Sequence, residues 1–175
     1  MSLRRRQVAL GSALTLAAGL AVVAAASGVT QTTVVKAAHN AKQNKQIVVN
    51  AHGRTLYLLT GDTPKHLKCT HKRVGGLDCL VIWSPLTVRS SSTSKIKAGS
   101  GVTGKLGLFK RARNSYQVTL RGIPLYTYVG DSRGGDVNGE GIHSFHGVWH
   151  TVAASTHSTT STPPPTTTAP TYPPY

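Results

Sequence analysis

The pattern Gly-x-x-Leu-Tyr-x-x-x-Gly-Asp occurs twice in this chain, at 53–62 and at 122–131, and it constrains the fold more than any other feature. The surrounding stretches align without a gap, Ile47 to Asp62 against Tyr116 to Asp131. Identities fall at Val49/Val118, Gly53/Gly122, Leu56/Leu125, Tyr57/Tyr126, Gly61/Gly130 and Asp62/Asp131. In each stretch a short β-branched run meets a glycine, then a second apolar run of Leu and Tyr, then Gly-Asp. Two such runs around a turn residue read as a β-hairpin. The central glycine recurs because a tight turn needs positive φ there. Repetition of the whole unit points to internal duplication.

Each hairpin is followed by a run that begins with tryptophan, Trp83-Ser84-Pro85-Leu86-Thr87-Val88 after the first and Trp149-His150-Thr151-Val152-Ala153 after the second. Leu106 to Lys110 adds a strand before the second hairpin. Helical periodicity is absent beyond the N-terminal segment, and Val34 to Lys45 is the one stretch that tolerates a short helix. The expected fold is all-β and antiparallel, with two-fold repeated hairpin-plus-strand units. The domain is expected at 34–155, with copies around 47–88 and 116–154.

The two ends read differently. Arg4, Arg5 and Arg6 precede an uncharged apolar run from Val8 that exits through Ala24-Ala25-Ala26, the anatomy of a secretory signal. A signal peptide is therefore expected at 1–26, with a linker at 27–33. The run also approaches the length that spans a bilayer, so an uncleaved N-terminal anchor stands as the alternative. From Thr156 to Tyr175 the composition turns to Thr, Ser and Pro, which cannot bury a core and reads as a disordered tail. Localisation is accordingly expected to be exported: extracellular or in the cell envelope.

The chain holds two cysteines, Cys69 and Cys79. In an oxidising compartment such a pair reads as a disulfide. Of 20 basic side chains, 17 remain once Arg4, Arg5 and Arg6 are set aside, against 5 acidic ones, a net charge of +12. That excess attracts polyanions, so the expected partners are anionic cell-envelope polymers or a membrane surface. Nucleic acid is disfavoured, because no helix-turn-helix, zinc-finger or aromatic RNA-binding signature accompanies the charge. The oligomeric state is left open.

Over about Val34 to Val152 the chain resembles a bacterial secreted-repeat family of unknown function, predicted lipoproteins with a Tyr-x-[Phe/Trp/Tyr]-x-x-Asp motif. The resemblance rests on Asn40-Ala41-Lys42, Gly53-Arg54-Thr55-Leu56-Tyr57, Trp83-Ser84-Pro85-Leu86, Gln117-Val118, Pro124-Leu125-Tyr126 and Gly147-Val148-Trp149-His150. The second copy carries the motif in full at Tyr126, Tyr128 and Asp131. The first has Tyr57 and Asp62 but Leu59 at the aromatic position. Many relatives are lipoproteins, whereas no cysteine directly follows the apolar segment here, and the family's cysteine pair is more closely spaced. The resemblance implies no particular activity.

Candidate chemistry gathers after the second copy. Gly130 to Gly141 holds Asp131, Asp136, Asn138 and Glu140 among five glycines. Oxygen ligands on a glycine loop suit a hard cation such as Ca²⁺, although the spacing is not that of an EF-hand. The other reading is a long turn in which Asp and Asn cap their own backbone. His143, His146 and His150 follow, and imidazole suits Cu or Zn. On a strand His146 and His150 share a face while His143 points away. Asp62 and Asp131 are candidate acids or bases for a hydrolase or simple turn caps. The leading expectation is a non-enzymatic exported envelope or extracellular β-domain that binds through a basic surface, with no cofactor. The alternative is a metal-binding or redox-associated periplasmic protein.

Overall fold

The computed structural model describes residues 30–155; the expected leader at 1–26 and the Thr/Ser/Pro tail at 156–175 lie outside the described residues. Twelve strands follow in order: β1 Thr32–Asn40, β2 Lys45–Asn50, β3 Tyr57–Leu59, β4 Trp83–Pro85, β5 Thr87–Val88, β6 Ile96–Ala98, β7 Leu106–Ala112, β8 Ser115–Leu120, β9 Ile123–Pro124, β10 Tyr126–Tyr128, β11 His143–Ser144 and β12 Gly147–Thr151. One α-helical turn, α1 at Cys79–Ile82, precedes β4, and a 3₁₀ turn at Thr93–Lys95 precedes β6. The all-β expectation is met. Among the described residues no helix is long and apolar enough to cross a membrane.

The stretch that tolerated a short helix, Val34 to Lys45, is instead most of strand β1, a turn at 41–44 and the first residue of β2. Thr32, Thr33, Val34 and Val35 are β-branched, stiff at χ1 and better suited to a pleated surface than to a helix. β1 pairs antiparallel with β2 and parallel with β6, where Thr32 faces Ile96 and Val35 faces Ala98. This parallel pair departs from the wholly antiparallel expectation. It covers an edge of β1 that would otherwise present unpaired amides, and it places Ile96 in the core.

The central sheet has the order β11-β12-β3-β10-β4. At its middle β3 and β10 meet antiparallel with Tyr57 opposite Tyr126. Each tryptophan strand pairs with the other copy's hairpin: β4 lies on β10, with Trp83 opposite Tyr128, and β12 lies on β3, with Trp149 opposite Leu59. The flanking pairs also correspond, Pro85 opposite Tyr126 and Thr151 opposite Tyr57. The two copies are thus interleaved.

Behind this sheet the backbone closes two rings of three hydrogen bonds. Val48 N–H donates to Val152, Val152 N–H to Leu56 and Leu56 N–H to Val48, at 2.7, 3.0 and 3.0 Å. Val118 N–H donates to Leu86, Leu86 N–H to Leu125 and Leu125 N–H to Val118, at 2.8, 2.9 and 3.1 Å. The rings match residue for residue, with one difference from the sequence alignment. Val48, not the identical Val49, takes the place of Val118. The turns explain the step. In the second copy Arg121 and Gly122, at φ 55° and 81°, form a two-residue turn between Leu120 and Ile123, as type I′ geometry requires. In the first, Asn50 N–H reaches Arg54 across three residues, with Gly53 at φ 81°.

Side-chain alternation divides the interior in two. Leu56 and Leu125 face one cluster with Val35, Val48, Val118 and Val152. Tyr57 and Tyr126, one residue on, face the other with Trp83, Trp149, Leu59, Phe145 and the two cysteines. The conserved spacing Leu-Tyr within each copy is therefore one residue for each core. Fully burying such a side chain contributes about 1.5–3 kcal/mol.

Candidate functional site

Trp83 and Trp149, brought in by the exchanged strands, stack at 3.8 Å between ring centres with planes 4° apart. Tyr128 stacks on Trp83 at 4.3 Å, Tyr57 meets Trp83 edge-on at 5.4 Å and Tyr126 meets Trp149 edge-on at 5.2 Å. The two edge-on contacts have the geometry that aromatic quadrupoles favour, whereas the tryptophans stack nearly parallel at closer range than the preferred separation of about 4.5–7 Å. Leu59, the departure from the motif, stands opposite Trp149 as Tyr128 stands opposite Trp83.

The motif tyrosines and aspartates bond across copies. Tyr57 Oη donates to Asp131 Oδ2 at 2.7 Å, and Tyr126 Oη donates to Asp62 Oδ2 at 2.6 Å. The other oxygen of each carboxylate accepts a backbone N–H from the loop that follows it: Lys68 N–H at 2.8 Å on Asp62 Oδ1, Asn138 N–H at 3.0 Å on Asp131 Oδ1. Gly139 N–H additionally donates to Tyr57 Oη. All four side chains are buried. Burial raises both carboxyls above the ordinary aspartate range, against the pull of the tyrosine and backbone donors. Burial, reinforced by the facing carboxylate, also pushes both phenols far up. Both aspartates are buried and both oxygens of each accept a hydrogen bond, unlike an exposed acid or base. Their charged surroundings also differ, Arg111 and Lys68 near Asp62, Asp136 and Arg54 near Asp131.

The acidic glycine loop is built as a capped turn. Asp136 Oδ2 accepts from Ser132 N–H, Ser132 Oγ and Arg133 N–H at 3.0–3.1 Å, and the Arg133 donor foremost holds its carboxyl below the usual range. Arg133 Nε lies 3.6 Å from Asp136 Oδ1. Asn138 Nδ2 donates to Gly130 O. Glu140 accepts from Thr151 N–H at 2.7 Å, Thr151 Oγ1 at 2.7 Å and Gln43 Nε2 at 3.2 Å, and pairs with His150 Nδ1 at 2.7 Å. Burial pulls Glu140 up, but the bonds from His150, Thr151 and Gln43 prevail and hold it at about 2. The loop is further tied to the first copy and to the end of β1. Arg54 donates to the carbonyls of Asp131 and Ser132, Thr55 Oγ1 to Asp136 O and Asn40 Nδ2 to Gly135 O.

Asp131, Asp136, Asn138 and Glu140 are thus brought into one loop, yet each carboxylate is engaged by protein donors. The histidines do not share a strand face. Phe145 and His146, at φ 50° and 62°, form the two-residue turn between β11 and β12, and His150 turns to Glu140. Among the described residues no three of His, Cys, Asp and Glu gather as a metal-holding group. Cys69 and Cys79 form the expected disulfide. Next to it Asp78 caps α1 through Leu80 N–H and bonds His71. Sequence reasoning missed the roles of Asn40, Gln43 and Arg54, whose partners are distant along the chain, and of Lys68, whose N–H reaches Asp62 across its own loop. Of these, Asn40 and Arg54 carried a signal, each standing in a run on which the family resemblance rests.

Residues 107–153 match a family described as a secreted repeat of unknown function. The match covers the second copy and most of the strand before it, bearing out the resemblance there, and the family's description fits an exported, extracellular protein. No curated protein and no solved structure shows significant similarity to the chain.

Proposed function

We propose that this protein is a non-enzymatic binding module of the cell envelope or extracellular space, which attaches to anionic envelope polymers through a basic surface. One observation carries the reading: the two signs of charge are used in opposite ways. All five carboxylates, Asp62, Asp78, Asp131, Asp136 and Glu140, accept hydrogen bonds from the protein itself. Among the described residues, Arg133 alone of the lysines and arginines lies within ion-pair distance of a carboxylate. Arg54, Lys68, Arg111 and Arg121 donate to backbone carbonyls, which leaves their charge uncompensated, and the exposed Arg89, Lys110 and Arg113 lie outside ion-pair distance of any carboxylate among the described residues. The engaged state of Asp62 and Asp131 supports a structural role for them rather than acid-base work. A metal or redox role has less support, since Asp131, Asp136 and Glu140 already accept hydrogen bonds from the protein and no three of His, Cys, Asp and Glu gather among the described residues.

The test is retention on an immobilised anionic polymer, with neutral polymer as control. Retention at low salt that falls steeply as salt rises is expected, because exposed charge contacts are screened over about 10 Å at 0.1 M. Equal retention on the neutral polymer, or none on the anionic one, overturns the reading.

A further inference from the structure

Several basic side chains line clefts that adjoin one another. Four clefts adjoin one another through shared lining residues. The first, about 340 Å³, shares Val88 and Arg89 with the second, about 480 Å³. The second shares Thr87 and Ser115 with the third, about 490 Å³, which in turn shares Leu67 and Thr70 with the fourth, about 290 Å³. Together they run from the β5 end past the β7–β8 turn to the disulfide loop. Lys95, Arg89, Arg113, Lys110, Arg111 and Lys72 line the track in that order, and neither Asp nor Glu lines any of the four.

We propose that this track is the binding site, and that its ligand is a linear polymer of polyol phosphate lying along it. The inference rests on the function proposed above and specifies where and what the module binds. Successive cations without an intervening carboxylate suit a charge repeated along a chain better than a single anion. Guanidinium forks grip phosphate oxygens in bidentate fashion, while Thr70, Thr87 and Ser115 offer hydroxyls to polyol oxygens. Arg111 is an anchor of the floor rather than a gripping fork: Nη2 donates to Cys69 O, and Nη1 is buried without a hydrogen-bond partner among the described residues. Nucleic acid carries the same phosphodiester chemistry, but single-strand binding relies on aromatic platforms for the bases. No Phe, Tyr or Trp lines any of the four clefts.

The experiment titrates the whole exported protein with poly(glycerol phosphate) over a range of salt. It compares Arg89→Glu/Lys110→Glu/Arg113→Glu with Lys36→Glu/Lys42→Glu/Lys45→Glu, which makes the same charge change on exposed residues of the β1–β2 hairpin. The neutral set Arg89→Gln/Lys110→Gln/Arg113→Gln serves if the first does not fold, as judged by its melting curve. The track variants are expected to weaken binding ~10-fold or more and to lower the slope of log affinity against log salt by about two to three, the control much less. Equal weakening by both sets overturns the track while leaving the proposed function standing. Failure of the unaltered protein to bind the polymer at low salt overturns both. Tighter binding to single-stranded DNA of matched charge overturns the polyol-phosphate ligand.

Discussion

Between Asp62 and Trp83 the chain is closed by the Cys69–Cys79 bond, with Asp78 capping the helical turn that leads into β4. Between Asp131 and Trp149 it is closed without a covalent link, by Asp136 within the loop and Glu140 against Thr151, His150 and Gln43. Both segments carry a tryptophan strand to the other copy's hairpin, and both begin with an aspartate bonded to the other copy's tyrosine. The same geometric demand is thus met covalently in one half and by ionised hydrogen bonds in the other. A disulfide acts largely by restricting the unfolded chain. Carboxylate bonds act on the folded state and only while the carboxylate is charged. The first half should therefore respond to reductant and the second to acid.

The largest expected effect is on the covalent side. Reducing the disulfide, or replacing Cys69 and Cys79 by alanine, should lower stability by about 3 kcal/mol in urea unfolding, the loop-closure value for so short a bridge. A loss under about 1 kcal/mol would mean that Asp62, Lys68 and Asp78 already hold this half as hydrogen bonds hold the other.

Next come the crossed pairs. Tyr57→Phe and Tyr126→Phe should each cost about 1–3 kcal/mol, since each leaves a buried carboxylate without its donor. Double-mutant cycles with aspartate-to-asparagine changes should find coupling for Tyr57 with Asp131 and for Tyr126 with Asp62. The within-copy pairs, Tyr57 with Asp62 and Tyr126 with Asp131, should be close to additive. Coupling within copies instead would undo the interleaved reading.

The smallest effect separates the halves by pH. Glu140 lies at about 2 in the folded protein against 4.5 as its ordinary value. A lowered folded value stabilises above pH 4.5 and is lost as pH falls toward 2. Glu140→Gln should remove that loss, about 1 kcal/mol once screening of this partly exposed pair is allowed for. Asp62 and Asp131 have the opposite sign: their raised values favour the fold at low pH and oppose it as pH rises through them. Acid unfolding that is unchanged in Glu140→Gln would show that the second loop is not held through this carboxylate.

Much of the fold was legible in the chain. The glycine turns and the Leu-Tyr runs appear where local pattern placed them, because alternation and positive φ are local properties, whereas the first hairpin is reduced to a single Val49–Thr55 bridge with β2 paired to β1, and the expected Trp83–Val88 strand is divided between β4 and β5 in separate sheets. The disulfide was legible from cysteine number and compartment. The parallel β1–β6 pair was not, since a strand's neighbour depends on a crossover that no local pattern records. His146 was misplaced because a two-residue turn with positive φ at both positions carried neither glycine nor asparagine at Phe145 or His146 to announce it.

The twin Gly-x-x-Leu-Tyr-x-x-x-Gly-Asp pattern by itself determined that two similar β units exist, each with one residue for each core. Only the tertiary structure decided that each tyrosine serves the other unit's aspartate, and that each tryptophan strand completes the other unit's hairpin. The reason is physical. Periodicity sets which side of a strand a residue faces, whereas its partner is chosen by packing across the central β3–β10 contact, where the two units can exchange strands without changing a single local preference.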